Sequence, residues 1–448
     1  MKWYDSIFKY IYEQADLIRS RSERGIEDAR KGDAKLVFLN AAGDSLSNVT
    51  VKAIRKTHDF KFGCASFPLG GFDTDEKNRK FEEAYAGLFN LAVAPLYWNT
   101  LEPEKGNPRY AADSPKIYRR PAPDLVCDFA EKHGMSVKGH ALVYCGHAPE
   151  WIEDDIPSYK CLLEDRIASI AERYKNRISD WDVVNESLHW FERENAVMRA
   201  KPLSFHHSDG YVEWCMQTAR KYLPNSHLII NDNAGFVTCN DFGFEREPFL
   251  LQLKLLRLEN LAPDAAGIQM HLWIEKEQML ARFFQPDVMY EVYDYWQHFG
   301  MPLNLSELTI PAYSENDEDE EFQAILTETL YRLWFGHPAL ESIVWWDMVD
   351  GHCYFDKTCN SDTARFYQGL LRRDFSRKPA YNRLHDLIHK EWHTEVSGNT
   401  GNGNILPMRG FCGKYDLEIE HEGRTFHKQF HLSKDVQHSR GVQRIVLE

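Results

Sequence analysis

Two short stretches each carry a glutamate at the end of an apolar run: Trp181-Asp182-Val183-Val184-Asn185-Glu186 and Leu303-Asn304-Leu305-Ser306-Glu307-Leu308. A pair of carboxylates facing one another is what glycoside cleavage requires, one to protonate the departing oxygen and one to attack or support the sugar carbon. Taken singly, either glutamate reads as well as a cap for the helix that follows. The pair becomes chemistry only if both residues end strands of one sheet and so converge, although they lie far apart in the chain. Other groupings are weaker. The acidic run Glu315–Glu321 lacks the spaced ligands and turn glycine of a calcium loop, and His206-His207 or Cys353 with Cys359 make no closed zinc pattern. Gly70-Gly71 lacks the further glycines and lysine of a phosphate loop. No Gly-x-Ser-x-Gly elbow is present. No metal and no cofactor are expected.

Eight strand-like apolar runs supply the elements that must position the glutamates: Phe60–Ser66, Phe89–Leu96, Ser136–Tyr144, Asp180–Glu186, His227–Asp232, Ala266–Leu272, Leu303–Ile310 and Ser342–Met348. Stretches between them, such as Glu164–Arg177, Gly210–Tyr222 and Glu321–Trp334, space apolar residues as amphipathic helices do. Eight alternating strand and helix units predict an α/β fold of the (β/α)₈ TIM-barrel type, whose chemistry sits at the carboxyl ends of the strands. Glu186 and Glu307 then end the fourth and seventh strands and point into one pocket.

Outside the eight units the pattern changes. Leu36–Leu39 and Val49–Ile54 read as strands around the turn Ala42-Gly43-Asp44. Tyr415, Leu417 and Ile419 alternate before a Glu422-Gly423 turn and Phe426–Leu432. The expected organisation is an N-terminal helix in 1–30, a small β-sandwich-like accessory domain from 31–58 plus 405–448, the catalytic barrel in 59–395, and a Gly/Asn-rich linker in 396–404. The accessory domain reads as a stabilising appendage or as a carbohydrate-binding module; no exposed aromatic row favours the latter. The 448 residues carry 53 Lys+Arg against 68 Asp+Glu, a formal charge of −15, which argues against a general nucleic-acid binder. No run approaches the roughly 18 apolar residues of a membrane helix, and the start shows no secretory leader. Nine scattered cysteines read as reduced thiols in a cytoplasm, unless a leader has been trimmed. The oligomeric state is left open.

From about Phe60 to Ile388 the chain resembles glycoside hydrolase family 10, the family of endo-β-1,4-xylanases. Gly139-His140-Ala141-Leu142-Val143 is similar to its third-strand motif, Trp181–Glu186 to the stretch supplying its acid/base, and Ser306-Glu307-Leu308 to its nucleophile motif. Asn231-Asp232 ends the fifth strand as in the family, Gln269 and His271 match its sixth-strand pair, and Ile343-Val344-Trp345 matches its eighth-strand tryptophan. Lys378-Pro379-Ala380-Tyr381 is also similar.

The resemblance implies that Glu186 is the general acid and then the general base, and Glu307 the nucleophile of a retaining double displacement. It implies carboxyl groups roughly 5–5.5 Å apart, with Glu186 protonated while Glu307 stays charged. Asn185 would address the sugar 2-hydroxyl, His271 would orient Glu307, and Gln269 and His140 would contact substrate. Trp345 would form the apolar platform under the sugar, with Trp346 and Tyr354 as further walls.

The chain departs from the family on the glycone side. After the second strand it reads Ala94-Pro95-Leu96-Tyr97-Trp98-Asn99-Thr100-Leu101-Glu102-Pro103, without the family's lysine. After the third, the family's Trp-His-x-Gln becomes Tyr144-Cys145-Gly146-His147. Trp98, Tyr144 and His147 are therefore expected to line a rebuilt substrate pocket. The expected function is cleavage of β-glycosidic bonds in a xylan-like or related plant polysaccharide or oligosaccharide. The alternatives are a noncatalytic carbohydrate-binding protein on a degenerate barrel, and a β-glycosidase for short or decorated non-xylan substrates.

Overall fold

The computed structural model describes residues 2–144, 147–188, 203–233, 248–353, 355–356, 361–434 and 441–447. The chain forms two compact units: Met1–Gln14, Phe62–Thr327 and Ala339–Asn382 in the first, and Ala15–Lys61, Glu328–Pro338 and Arg383–Glu448 in the second. These boundaries differ from those read in the sequence. Residues 1–30 divide at Gln14, and the stretch after Asn382 leaves the barrel unit.

In chain order the first strands are β1 (Lys31–Leu39) and β2 (Thr50–Arg55). Then come β3 (Lys61–Ala65), β4 (Leu91–Pro95), β5 (Ser136–Tyr144), β6 (Asp180–Asn185), β7 (His227–Asp232), β8 (Ala265–His271), β9 (Leu303–Thr309) and β10 (Leu340–Trp345). These eight form a closed parallel barrel in which each strand neighbours the next and β10 closes onto β3. Their runs are almost wholly buried, as expected of parallel strands covered on both faces. Helices connect them, among them Asp75–Ala86, capped by the Thr74 side chain on the Lys77 amide, and Pro286–Phe299, which starts on proline and ends at Gly300 with φ 71°. One inner cluster of the barrel joins Ala65, Phe67, Leu91, Val93, Tyr97, Val344 and Trp346.

Two irregularities fall where the acidic residues stand. The β6–β7 register shifts between Asp182 and Val184, and the β8–β9 register passes from Ile268↔Leu305 to Gln269↔Glu307, leaving Ser306 as the extra residue. Bulges of this kind re-aim side chains at the end of a strand. Here Ser306 and Glu307, although consecutive, both reach Asn231.

After the two-residue strands β11 (Phe355–Asp356) and β12 (Ser361–Asp362) come β13 (Glu395–Asn399), β14 (Leu406–Phe411), β15 (Gly413–His421), β16 (Arg424–Leu432) and β17 (Val442–Val446). The second unit holds two sheets, ordered β14-β1-β17 and β13-β2-β15-β16. They share a core that includes Leu36, Phe38, Val51, Ala53, Met408, Tyr415, Leu417, Ile419 and Leu432. The Glu422-Gly423 turn is the expected two-residue hairpin, with both φ values positive at 49° and 75°. Two expectations are corrected. β1 and β2 belong to different sheets and do not form a hairpin, and the stretch read as a Gly/Asn linker supplies strand β13, paired with β2 from Glu395↔Ile54 to Asn399↔Thr50. Its residues have low strand propensity; backbone pairing at the edge of a sheet draws them in. Among the described residues no helix is long and apolar enough to cross a membrane.

Candidate active site

Glu186 follows the last residue of β6 in a left-handed conformation, φ 54°, with its amide donating to the Asn231 carbonyl at 2.8 Å. A non-glycine residue held there stores strain that its surroundings must impose. The turn aims the carboxylate across the barrel mouth. Its Oε2 accepts from the Tyr144 hydroxyl at 2.7 Å, and its Oε1 accepts from the Gln269 amide nitrogen at 3.0 Å. That same Gln269 nitrogen donates to Glu307 Oε1 at 3.1 Å. The two acceptor oxygens are thus no further apart than the sum of those bonds, about 6.1 Å. If the bonds follow the two N–H directions of a planar amide, about 120° apart, the separation is about 5.3 Å.

Glu307 is only 4% exposed. Its Oε1 also accepts from Asn231 Nδ2 at 2.8 Å, and its Oε2 lies 3.1 Å from His271 Nε2. His140 Nε2 stands 3.7 Å from Oε1. Behind His140, Asp182 bonds its Nδ1 at 2.8 Å and pairs with Lys138 at 2.9 Å, all three side chains being buried. Burial works against the Asp182 charge, yet Lys138 and His140 hold its carboxyl below the usual range. An ion pair this deep is costly to break, on the order of 3–5 kcal/mol when one partner is removed.

Burial pushes the Glu307 carboxyl from its ordinary 4.5 up to about 7, opposed by His140 and reinforced by Glu186 and Asp182. The expectation that Glu307 simply stays charged is therefore corrected for the free protein: desolvation of the more buried partner outweighs the donors around it. Between about pH 4.5 and about 7 the folded protein holds a proton that the unfolded chain has released, so stability falls as pH rises through that window. Glu307→Gln should accordingly melt higher than wild type at pH 8, by up to roughly 3 kcal/mol at 1.36 kcal/mol per pH unit. The gain should vanish below pH 4.5. A melting difference that does not change with pH would contradict this account. Burial likewise lowers the His271 imidazole to about 4, which leaves it neutral at physiological pH.

The family model described as glycosyl hydrolase family 10 matches residues 71–387. The chain belongs to glycosyl hydrolase family 10. Among curated relatives, the anti-sigma-I factor RsgI6 of Acetivibrio thermocellus is 22% identical over 405 residues, 89% of this chain and 46% of its own length. Endo-1,4-beta-xylanase 2 of Arabidopsis thaliana is 24% identical over 421 residues, 92% of this chain and 33% of its own. The chain thus spans less than half the length of these two relatives. Among solved structures, xylanase 10B of Thermotoga petrophila in complex with xylobiose superposes with a TM-score of 0.57 at 20% identity, covering 74% of this chain and 95% of that one.

Within this family 10 site the sequence-read residues separate into three groups. Asn185, Gln269, His271 and His140 join the two glutamates. Asn185 Oδ1 accepts from Asn231 at 2.6 Å and from Gln269 at 3.4 Å, while its own NH₂ has no protein partner among the described residues. His140 is buried against Asp182 and Glu307, a place from which it orients Glu307. Tyr144 and His147 form the second group, with His147 stacked on Tyr97 at 4.4 Å and Tyr144 bonded to Glu186.

Trp345 and Trp98 do not meet the glutamates. Trp345 is 0% exposed and gives its indole N–H to the Gln368 carbonyl at 3.1 Å, so it cannot serve as a sugar platform. Strand alternation gives the reason: Val344 and Trp346 share the inner cluster of the barrel, which turns Trp345 outward. Trp346 instead lies at the site, its ring 5.3 Å from that of His140 and 6.2 Å from that of His271. Trp98 packs with Trp151, Tyr159 and the Arg166 guanidinium. The cavity it lines measures about 10 Å³, room for one water and not for a pyranose ring. Tyr354 lies outside the described residues, as do Cys145 and Gly146.

Sequence reading missed the Lys138–Asp182 pair, although charges inside apolar strands, with Lys138 and His140 two apart, were a visible signal. It also gave no role to Asn231, which bonds both Asn185 and Glu307, or to Trp273. That indole is 36% exposed, stacks on His271 at 4.0 Å and is pinned by Gln368. A cavity of about 590 Å³ lies in the second unit, where Glu27 pairs with both Lys31 and Arg409.

Proposed function

We propose that this protein is a retaining glycoside hydrolase that cleaves β-glycosidic bonds of a xylan-like plant polysaccharide or oligosaccharide by double displacement. The observation that carries the reading is the Gln269 amide nitrogen shared by both glutamates. The spacing of the two bonded oxygens, bounded at about 6.1 Å, lies below the roughly 6.5–9.5 Å that an inverting pair leaves for water, and bonds along the two N–H directions would put it inside the retaining range of about 5–5.5 Å. Glu307, held by Asn231, Gln269 and His271, attacks the anomeric carbon as the anion. Glu186, half-buried under Tyr144, gives its proton to the leaving oxygen. Having given up its proton to the leaving group, the Glu186 carboxylate can then take one from water for the second displacement.

Trp346 would lie under the sugar in the cleaved position. Trp346→Ala should therefore raise KM about tenfold or more, as expected when an aromatic stacking surface is lost. Trp345→Phe should leave KM within about twofold and act on stability. Equal KM effects from the two substitutions would refute this assignment.

The test of the proposal is the configuration of the first product. Proton NMR of an aryl β-xyloside or xylo-oligosaccharide during early hydrolysis should show the β anomer before mutarotation. An initial α product would overturn the retaining mechanism, and binding without hydrolysis of any β-glycoside would favour the noncatalytic alternative.

A further inference from the structure

Arg120 ends the tight turn Ile117–Arg120, in which Arg119 adopts a left-handed conformation with φ 57°. The two consecutive arginines have opposite fates. Arg119 forms a buried ion pair with Asp347 and donates to the His352 carbonyl. Among the described residues Arg120 has no carboxylate partner. Its guanidinium lies 4.1 Å from the centre of the Tyr97 ring and 5.2 Å from that of Phe67; the Tyr97 ring also neighbours His147 at 4.4 Å, His140 at 5.5 Å and Tyr144 at 5.8 Å. Tyr144 in turn holds Glu186. The cation therefore stands two side chains away from the acid of the catalytic pair.

A guanidinium carries five N–H donors in a planar fork. Among the described residues, the protein acceptor of Arg120 is the Arg119 carbonyl, reached by Nη1 at 2.8 Å. Nε is buried without an acceptor. Desolvation lowers the group only to about 10, so it remains charged at neutral pH. A buried donor without a partner costs about 1–3 kcal/mol, and an apolar side chain would cover Tyr97 without that cost. Stacking on an aromatic face leaves the edge of the fork open, and that edge matches a carboxylate bidentately. A single uncompensated cation balances a monoanion. A phosphate dianion would bring surplus negative charge towards Glu186 and Glu307.

We propose that Arg120 is the receptor for a sugar carboxylate, so that the glycoside bound beside the catalytic pair carries a uronic acid. This rests on the glycoside-binding reading above and specifies its substrate class. The uronic acid could be the residue in the cleaved position or a branch on a neighbouring sugar, and the two sources separate by assay.

The experiment compares each acid with its own methyl ester, which is close in size but neutral. One arm uses p-nitrophenyl β-glucuronide, and the other a xylo-oligosaccharide with one glucuronosyl branch. Both are followed by hydrolysis and by calorimetric binding, on wild type, Arg120→Leu and Arg120→Lys. Wild type should prefer the acid over the ester about tenfold or more in at least one arm, the size expected of a charge-assisted hydrogen bond. Arg120→Leu should bring that ratio to about one, whatever its absolute rate, and Arg120→Lys should leave an intermediate ratio, since it keeps the charge but not the fork. Equal treatment of acid and ester by wild type in both arms would overturn the proposal, as would a proportional loss on both in Arg120→Leu. A binding preference without hydrolysis would support the role of Arg120 while removing the hydrolase reading. Hydrolysis of both forms without preference would do the reverse.

Discussion

Glu307→Ala is expected to abolish turnover of every β-glycoside, lowering kcat by at least about 10⁴-fold, or roughly 5.5 kcal/mol at 1.36 kcal/mol per decade. The reason is positional. Asn231, Gln269 and His271 converge on this one carboxylate and hold it as the attacking group. Alanine leaves a gap lined by donors, and added azide should restore turnover by attacking from that gap to give an α-glycosyl azide. Formate should act similarly. Loss of activity with no rescue by either anion, in a protein that still melts cooperatively, would argue against a nucleophilic role. Wild-type kcat/KM should also rise with pH on its acidic limb through about 7, because the carboxylate that attacks must first lose the proton that burial helps it keep.

Glu186→Ala should separate substrates by leaving group. Aryl glycosides of dinitrophenol need no protonation, so their glycosylation step should slow less than about tenfold. Substrates with a sugar leaving group should lose about 10²–10⁴-fold, the usual worth of a general acid. Uniform loss across good and poor leaving groups would sink the acid role and point to collapse of the turn in which Glu186 sits at φ 54°. Tyr144→Phe supplies a milder probe of the same carboxyl, since its hydroxyl is the 2.7 Å donor to Oε2.

Much of this site was legible because its chemistry is local. Glu186 and Glu307 end apolar runs, and the ordered neighbours Asn185, Gln269 and His271 fall two residues or fewer from a strand end. The tryptophans show where reading failed. Trp345 and Trp346 are adjacent and alike in composition, and only the alternation that carries Trp346 into the cluster of Val344, just past the end of β10, separates the one near His140 and His271 from the one packed against Gln368. Counting alternation from Val344 would have found the answer, but that count has meaning only once Val344 is known to face inward. Asp182, Lys138 and Asn231 were missed for a related reason. Their roles are contacts between strands, and single-strand patterns do not encode which residue lies opposite which.

The residue order by itself determined the eight-strand alternation, the acidic strand ends and the family, since apolar periodicity and short motifs are properties of contiguous chain. Tertiary structure alone decided the rest. The bulges that bring Glu307 opposite Gln269, the protonation bias that burial imposes on Glu307, and the partition of Arg119 and Arg120 all depend on distances between segments remote in sequence. Desolvation and pairing energies are set by what surrounds a group in space, and a one-dimensional order does not contain that surrounding.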